Sequence, residues 1–178
     1  MDTLRKDEAY TIKDIYALPD GERAELIDGK IHYMAPPSRD HQKISSKLHR
    51  AIANYIDSKG GKCEVYAAPF AVFLNDDDIN YVEPDISVIC DTTKLNDKGC
   101  YGAPDWIIEI VSQSSRQRDY MTKLFKYRTA GVREYWIVDS ERNMVTVYSF
   151  ENDTMGQYNL NEEIPVGIYE GFTIPSLI

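Results

Sequence analysis

The sequence predicts an α+β fold of α/β/α-like type, with a mixed central β-sheet flanked by helices and preceded by an N-terminal β-hairpin. Three observations predict it: a hairpin signature near the start of the chain, two segments with apolar residues at helical spacing, and several short apolar runs of strand length. The length of 178 residues fits one domain over residues 1–178. The 43% hydrophobic content excludes collagen-like and disordered chains.

The first elements are a short helix and the hairpin. Residues 11–18 read as a helix that ends at Pro19-Asp20-Gly21. Residues 24–34 form two alternating apolar runs joined by Asp28-Gly29, the dipeptide that a type I′ turn prefers.

A longer, basic helix follows Pro36-Pro37-Ser38 and ends at Gly60-Gly61. Its apolar stripe has helical spacing and consists of Ile44, Leu48, Ile52, Tyr55 and Ile56. Lys43, Lys47 and Arg50 lie off that stripe, so this helix should present a basic face.

Strand-like runs then occupy residues 63–67, 70–74 and 85–90. The acidic run Asp76-Asp77-Asp78 between them lacks the glycine and terminal glutamate of a calcium loop and is read as a solvated turn. Residues 106–111 (WIIEIV) suit a central strand buried on both faces, because only one charge interrupts the apolar run.

A second basic helix follows, with Ser114 or Ser115 as its N-cap and Gly131 just past its end. Met121, Leu124 and Phe125 are expected on its core side. Residues 134–139 (EYWIVD) and 144–150 (MVTVYSF) continue the sheet as strands.

The net charge of −9 is too acidic for a protein that coats nucleic acid generally. Residues 39–62 nevertheless carry a balance of +4 and residues 112–133 a balance of +5, which leaves −18 for the rest. Two interpretations stay open: an anion docks on these two helices, or the basic residues only cover their solvated faces.

The cysteines and the N-terminus bear on location. Cys63, Cys90 and Cys100 are odd in number and form no CxxC pair, which fits a reducing compartment better than a disulfide framework or a zinc site. Neither a signal-peptide core nor a membrane span is recognisable, so a cytoplasmic location without membrane association is expected.

Glu109 is the most informative residue, because a lone carboxylate in a buried strand must be paired, hydrogen-bonded or bound to a cation. Asp85 opens another apolar strand, directly after Pro84. Two carboxylates from neighbouring strands, with the peptide carbonyl of Ile110, would suit Mg²⁺ or Mn²⁺. The alternative is structural: Asp85 merely begins a strand and Glu109 pairs with Lys123.

The second basic helix carries Asp119, Lys123 and Lys126 on one stripe, so a lysine there could reach the two carboxylates. A metal with a neighbouring cation is what phosphodiester hydrolysis requires. Motifs of other mechanisms are absent from the sequence, since it contains no GxxxxGK, no GxSxG and no HExxH.

Five sequence blocks carry a family resemblance, in the order ELIDGKIHYM, PPSRDHQKISSKL, EPDISVIC, GAPDWIIEIVSQSSRQRDYMTKLFKYRTAGVREYWIVD and GFTIPSLI. Over nearly the whole chain they resemble the Uma-type family of predicted restriction endonucleases, a member of the PD-(D/E)XK nuclease superfamily. The resemblance implies a restriction-endonuclease-like mixed sheet with flanking helices.

The resemblance also implies site residues. Pro84-Asp85 corresponds to the PD element, Glu109 to the (D/E) position and Ile110 to X, whereas Val111 stands where the superfamily has lysine. The lysine is expected on the following helix, at Lys123, and Glu25 fits an additional early acidic position.

The implied function is a metal-dependent endonuclease that hydrolyses DNA phosphodiester bonds with Mg²⁺ or Mn²⁺ held by Asp85, Glu109 and Ile110. Arg116, Arg118 and Lys126 would contact the DNA backbone. His41 would touch the phosphate or help to cap its helix, and capping is the favoured role.

The rival hypothesis is a catalytically inactive nuclease-like fold that serves as a binding or assembly module, which the lysine missing after Glu109 and the overall acidity favour. A homodimer is also expected, because cutting both strands of a duplex requires two copies and the 13 tyrosines are suitable interface residues.

Overall fold

A computed structural model describes residues 9–178 of the chain. Its helices are α1 (Ile12–Tyr16), α2 (Arg39–Ser58) and α3 (Leu124–Ala130), and α3 continues directly from a π-helical segment, Arg118–Lys123. The strands are β1 (Ala24–Ile27), β2 (Lys30–Tyr33), β3 (Glu64–Ala67), β4 (Val72–Phe73), β5 (Ile86–Ile89), β6 (Leu95–Asn96), β7 (Gly99–Tyr101), β8 (Trp106–Ile110), β9 (Glu134–Asp139), β10 (Met144–Ser149), β11 (Thr154–Asn159), β12 (Ile164–Pro165) and β13 (Thr173–Ile174).

The central sheet has six strands in the order β11-β10-β9-β8-β5-β3. Strands β8 and β9 run parallel, and the other neighbours run antiparallel. Helix α2 packs on one face of this sheet and α3 on the other. The predicted α+β fold with a mixed, helix-flanked sheet is therefore confirmed.

Strand β8 decides which residues meet the second basic helix, because successive side chains of a strand point to opposite faces. Trp106, Ile108 and Ile110 pack in the core beneath α2. Ile107 and Val111 pack in the core beneath α3. Glu109 shares the parity of this second set and thus points towards α3 and the π-helical segment.

The predicted hairpin is formed by β1 and β2, and its turn has the predicted geometry. Asp28 and Gly29 both have positive φ, 50° and 72°, as a type I′ turn requires. A Cβ at Gly29 would lie 2.5 Å from the Cβ of Ala9, so glycine also permits close packing there.

The acidic run forms a turn, as predicted. The Asp77 carboxylate accepts hydrogen bonds from the Ile79 amide and the Asn80 side chain. These bonds close the loop locally.

The predicted core side of the second basic helix is right for Leu124, which packs against the core, and wrong for the other two residues. Met121 and Phe125 are each 65% exposed, whereas Asp119 and Lys123 are buried. The π-helical segment accounts for the difference: its i→i+5 turns shift the phase of the side chains relative to the 3.6-residue spacing on which the prediction depended.

The expectation of unpaired cysteines is wrong for two of the three. Cys63 and Cys90 form a disulfide. They flank the paired residues Glu64 and Ile89 of the antiparallel strands β3 and β5, which brings the two thiols together. Cys100 is free and buried.

Across residues 9–178, no helix combines the length and the apolar character that a membrane crossing requires.

Candidate active site

Glu109 and Lys123 form the centre of the candidate site. The Lys123 Nζ atom donates a hydrogen bond of 2.8 Å to Oε1 of Glu109, and the two residues are only 3% and 5% exposed. The Tyr127 hydroxyl donates to the same oxygen at 2.7 Å. The buried carboxylate thus has the paired and hydrogen-bonded environment that its position in β8 requires.

Glu25 of β1 reaches the same lysine from the hairpin. Its Oε1 atom accepts hydrogen bonds from Lys123 Nζ at 2.8 Å and from the Glu83 amide at 3.2 Å. Glu25 is 1% exposed. The hairpin is therefore tied to the site by a buried ion pair.

Asp119 completes a group of three acids around Lys123. Its Oδ1 atom lies 3.5 Å from Lys123 Nζ and has no hydrogen-bond partner among the described residues. We refer to Glu25, Glu109 and Asp119 as the carboxylate cluster. A π-helical segment at this position accords with the frequent occurrence of such turns at functional sites.

Burial and mutual repulsion govern the electrostatics of the carboxylate cluster. Burial raises the pKa of Glu109 well above its usual value; Lys123 opposes this rise, while Asp119 and Glu25 add to it. Burial likewise raises the pKa of Asp119. Burial alone would lower the pKa of Lys123, but the three acids outweigh it and raise that pKa well above normal. The single positive charge of Lys123 therefore cannot neutralise all three acids of the carboxylate cluster when they are ionised.

Asp85 precedes β5 and lies beside the end of β8. Its Oδ2 atom accepts a hydrogen bond of 2.7 Å from the Ile110 amide. The paired register of β5 and β8 ends with Ile86 opposite Ile108, two residues short of Ile110. Asp85 and the backbone of Ile110 are thus held together at the edge of the site.

His41 contacts Asp85 rather than capping its helix. Its Nε2 atom lies 3.1 Å from Oδ1 of Asp85. The cap of α2 is Ser38, whose side chain accepts a hydrogen bond from the His41 amide. The favoured capping role of the His41 side chain is therefore wrong, because a residue three positions earlier already fills the N-cap.

The carboxylate cluster, Lys123, Asp85 and His41 line one cleft of about 370 Å³. Its lining includes five carboxylates against three arginine or lysine side chains, with His41 in addition: Glu25, Asp85, Glu109, Asp119 and Glu141 against Arg23, Arg118 and Lys123. Arg23 is itself paired with Glu83 at 2.5 Å. The cleft is therefore acidic, and an anionic substrate would enter it only with an additional cation.

The donor set suits a hard divalent cation. Asp85, Glu109 and Ile110 all line the cleft and offer carboxylate and carbonyl oxygens. Within residues 9–178, no group of three or more His, Cys, Asp or Glu side chains is arranged to hold a metal ion. A metal held by few protein carboxylates would complete its coordination with water, as Mg²⁺ commonly does.

The predicted DNA-contacting residues are distributed unevenly. Arg118 lines the cleft, and its Nε atom lies 3.8 Å from Oε2 of Glu25 without a hydrogen-bond partner in the described structure. Arg116 instead donates to Asp139 at 2.8 Å and to Glu141 at 2.7 Å. Lys126 forms an ion pair with Asp28 in the hairpin turn.

Tyr127 is the site residue that the sequence analysis missed. Its hydroxyl contacts Glu109, and the residue is fully buried. The available signal was its position four residues after Lys123, which places both side chains on one face of the helix.

Comparison with known proteins gives three kinds of match. Residues 12–173 match the model of the Uma2 family, described as "Putative restriction endonuclease". Two uncharacterized proteins of Synechocystis sp. are similar: slr1290 is 28% identical over 133 residues (74% of this chain, 68% of the relative), and sll1609 is 26% identical over 121 residues (66% and 67%).

A solved structure shares the fold. The crystal structure of a "putative nuclease belonging to DUF820" from Anabaena variabilis ATCC 29413 superposes with a TM-score of 0.75 at 21% identity, over 94% of this chain and 96% of that one.

Proposed function

Since the chain belongs to the Uma2 family of putative restriction endonucleases, we propose that it is a metal-dependent endonuclease that hydrolyses phosphodiester bonds of DNA. The observation that carries this proposal is the convergence of Glu25, Glu109 and Lys123 within 2.8 Å contacts at the floor of a cleft that also contains Asp85. A buried lysine beside carboxylates at the end of a central strand can orient an attacking water and stabilise the negative charge that develops on the phosphorane.

Asp85, Glu109 and the Ile110 carbonyl are the proposed ligands of Mg²⁺ or Mn²⁺. Such an ion polarises the phosphate and lowers the pKa of bound water. Lys123 would orient the attacking water and stabilise negative charge on the phosphoryl oxygens. Glu25 would position Lys123, because it binds the same ammonium group as Glu109 does.

The proposed contacts to the DNA backbone are Arg118, His41, Arg116 and Lys126. Arg118 and His41 line the cleft itself, so they are the first candidates for the scissile phosphate. Arg116 and Lys126 would have to exchange an internal carboxylate for a DNA phosphate.

The proposal is tested with a supercoiled plasmid incubated with Mg²⁺ or Mn²⁺ at several salt concentrations. We expect nicking by the wild-type protein and a loss of at least about 100-fold in Lys123→Ala. Lys98→Ala is the matched control, because Lys98 is an exposed loop lysine outside this cleft. Equal inactivity of the wild type and Lys123→Ala under all conditions would contradict the proposal.

A binding or assembly module is a second candidate, and one observation favours it. Oε1 of Glu109 and both oxygens of Asp85 already contact protein donors. Titration calorimetry separates the two functions: a nuclease site should bind Mn²⁺ in the wild type but not in Asp85→Ala, whereas purely structural carboxylates should bind none in either.

We propose a homodimer for the protein, a state that its 13 tyrosines favour as suitable interface residues. Light scattering coupled to gel filtration measures it directly. A cytoplasmic location stays a prediction from the sequence.

A further inference from the structure

We propose that the cleft accepts single-stranded DNA, with one base stacked on Tyr33, in preference to an intact duplex. This inference rests on the proposed nuclease function and specifies its substrate. It follows from the rim of the cleft, from the state of the basic side chains and from the size of the cavity.

Two uncharged stretches contribute to the lining of the cleft, beside the exposed charged side chains of Arg23 and Glu141. One stretch consists of residues 33–38 (YMAPPS), which follow the hairpin, and the other of residues 112–115 (SQSS), which follow β8. Duplex-binding surfaces track two phosphate strands with lysine and arginine. These two stretches contain neither residue type, so they offer no such track.

Most cations near the cleft are also committed to carboxylates. Arg23 is bound by Glu83, Arg116 by Asp139 and Glu141, and Lys126 by Asp28. The basic residues of α2 that lie off its apolar stripe, Lys43, Lys47 and Arg50, do not line the cleft. Arg118 is left to meet phosphate, and His41 can join it only by giving up its 3.1 Å contact with Asp85, which suffices for one or two phosphates of a single strand.

Tyr33 contributes the affinity for DNA that the few available cations do not provide. It lines the cleft and is 63% exposed at the end of β2. An exposed aromatic ring beside a polar floor is the usual stacking platform of proteins that bind single strands, and stacking accepts every base. Met34, Pro36 and Pro37 extend this apolar wall.

The cavity has a matching size. A volume of about 370 Å³ lies near the lower end for pockets that enclose a small organic ligand. It can hold about one nucleotide. A strand would therefore place one phosphate over Asp85 and Glu109 while its neighbouring base lies on Tyr33.

The test compares a fluorescent 12-nucleotide single strand with a duplex of the same length, by anisotropy in Ca²⁺ and by cleavage in Mg²⁺ or Mn²⁺. We expect at least tenfold preference for the single strand in both assays. The slope of log affinity against log salt should lie between about −0.7 and −1.4, as expected for one or two phosphates.

Variants at Tyr33 identify the platform. Tyr33→Ala should weaken single-strand binding by about 5- to 150-fold, and Tyr33→Phe should remain within about twofold of the wild type. Tyr16→Ala is the matched control, because Tyr16 is 58% exposed on α1 and lies outside the cleft. Thermal unfolding of each variant checks that the fold is retained.

The outcomes distinguish the two proposals. Three results would each overturn the single-strand inference and leave the nuclease function standing. They are cleavage of the duplex at least as fast as cleavage of the single strand, a steep slope of log affinity against log salt, and an unchanged affinity of Tyr33→Ala for the single strand. Absence of binding and cleavage for both DNA forms with every metal would refute the nuclease function and this inference with it.

Discussion

Lys123 and Glu25 are 98 residues apart in the chain, yet they form a buried ion pair in which Nζ lies 2.8 Å from Oε1. The pair joins the N-terminal hairpin to the helix that follows the central strand. Because Glu109 binds the same ammonium group, removing the lysine leaves two buried carboxylates without their shared cation.

Replacement of Lys123 by methionine should therefore lower the free energy of unfolding by about 3–5 kcal/mol, the range for a buried pair that loses one partner. Urea denaturation at pH 7 measures it. Adding Glu25→Gln to Lys123→Met should recover part of the loss, because it removes one of the uncompensated charges.

Lys126→Met is the control for this prediction. Its partner Asp28 is 55% exposed, so the change should cost less than about 1 kcal/mol. Equal destabilisation by Lys123→Met and Lys126→Met would show that the buried network does not hold the fold.

Tyr127→Phe should shift the pH dependence of metal binding and cleavage. The Tyr127 hydroxyl stabilises the charged form of Glu109, so its loss should raise the already elevated pKa of that carboxyl further. A carboxylate must be deprotonated to bind a metal, and hence the acidic limb of the pH profile should move to higher pH.

Tyr135→Phe provides the comparison for Tyr127→Phe. The Tyr135 hydroxyl is also buried, but it donates to the backbone carbonyl of Asp119 rather than to a carboxylate. Its removal should affect stability and leave the acidic limb in place. The same shift in both variants would indicate a general structural effect.

Arg116→Ala should act mainly on stability. Asp139 has a fully buried side chain, and Arg116 is its partner at 2.8 Å. We expect Arg116→Ala to lower the free energy of unfolding, because Asp139 would stay buried without this partner.

Arg142→Ala is the matched variant, because Arg142 approaches the same carboxylate at 3.7 Å but is 59% exposed. It should cost less than about 0.5 kcal/mol. If Arg116→Ala instead leaves unfolding unchanged and reduces the salt dependence of DNA binding, its proposed contact with the backbone is favoured over the structural role.

The sequence was sufficient for the local elements, and it offered the pairing of Glu109 with Lys123 as one of two alternatives. Asp28-Gly29 determines its turn through φ values that few other residue pairs adopt, and alternation along β8 determines which face Glu109 occupies. Both features depend only on residues that are close in sequence.

The errors concern features that depend on tertiary structure. Met121 and Phe125 lie outside the core because π-helical turns change the phase of the side chains around the helix. No residue type in the sequence indicates where such turns occur. His41 contacts Asp85 across 44 positions of sequence, and Cys63 meets Cys90 only because β3 pairs with β5 in one register. Long-range register cannot be derived from spacing within a single sequence.

Reduction of the Cys63–Cys90 disulfide should destabilise the protein. The bond closes a loop across a sequence separation of 27, for which chain entropy predicts a contribution of about 3.5 kcal/mol. Peptide mapping without reductant should find Cys63 linked to Cys90 and Cys100 as a free thiol. Dithiothreitol should lower the melting temperature of the wild type and have no effect on the Cys63→Ser/Cys90→Ser double variant. A wild-type protein that maps with three free thiols and melts identically with and without reductant would contradict the bond, and would return the cysteines to the state that the sequence alone predicts.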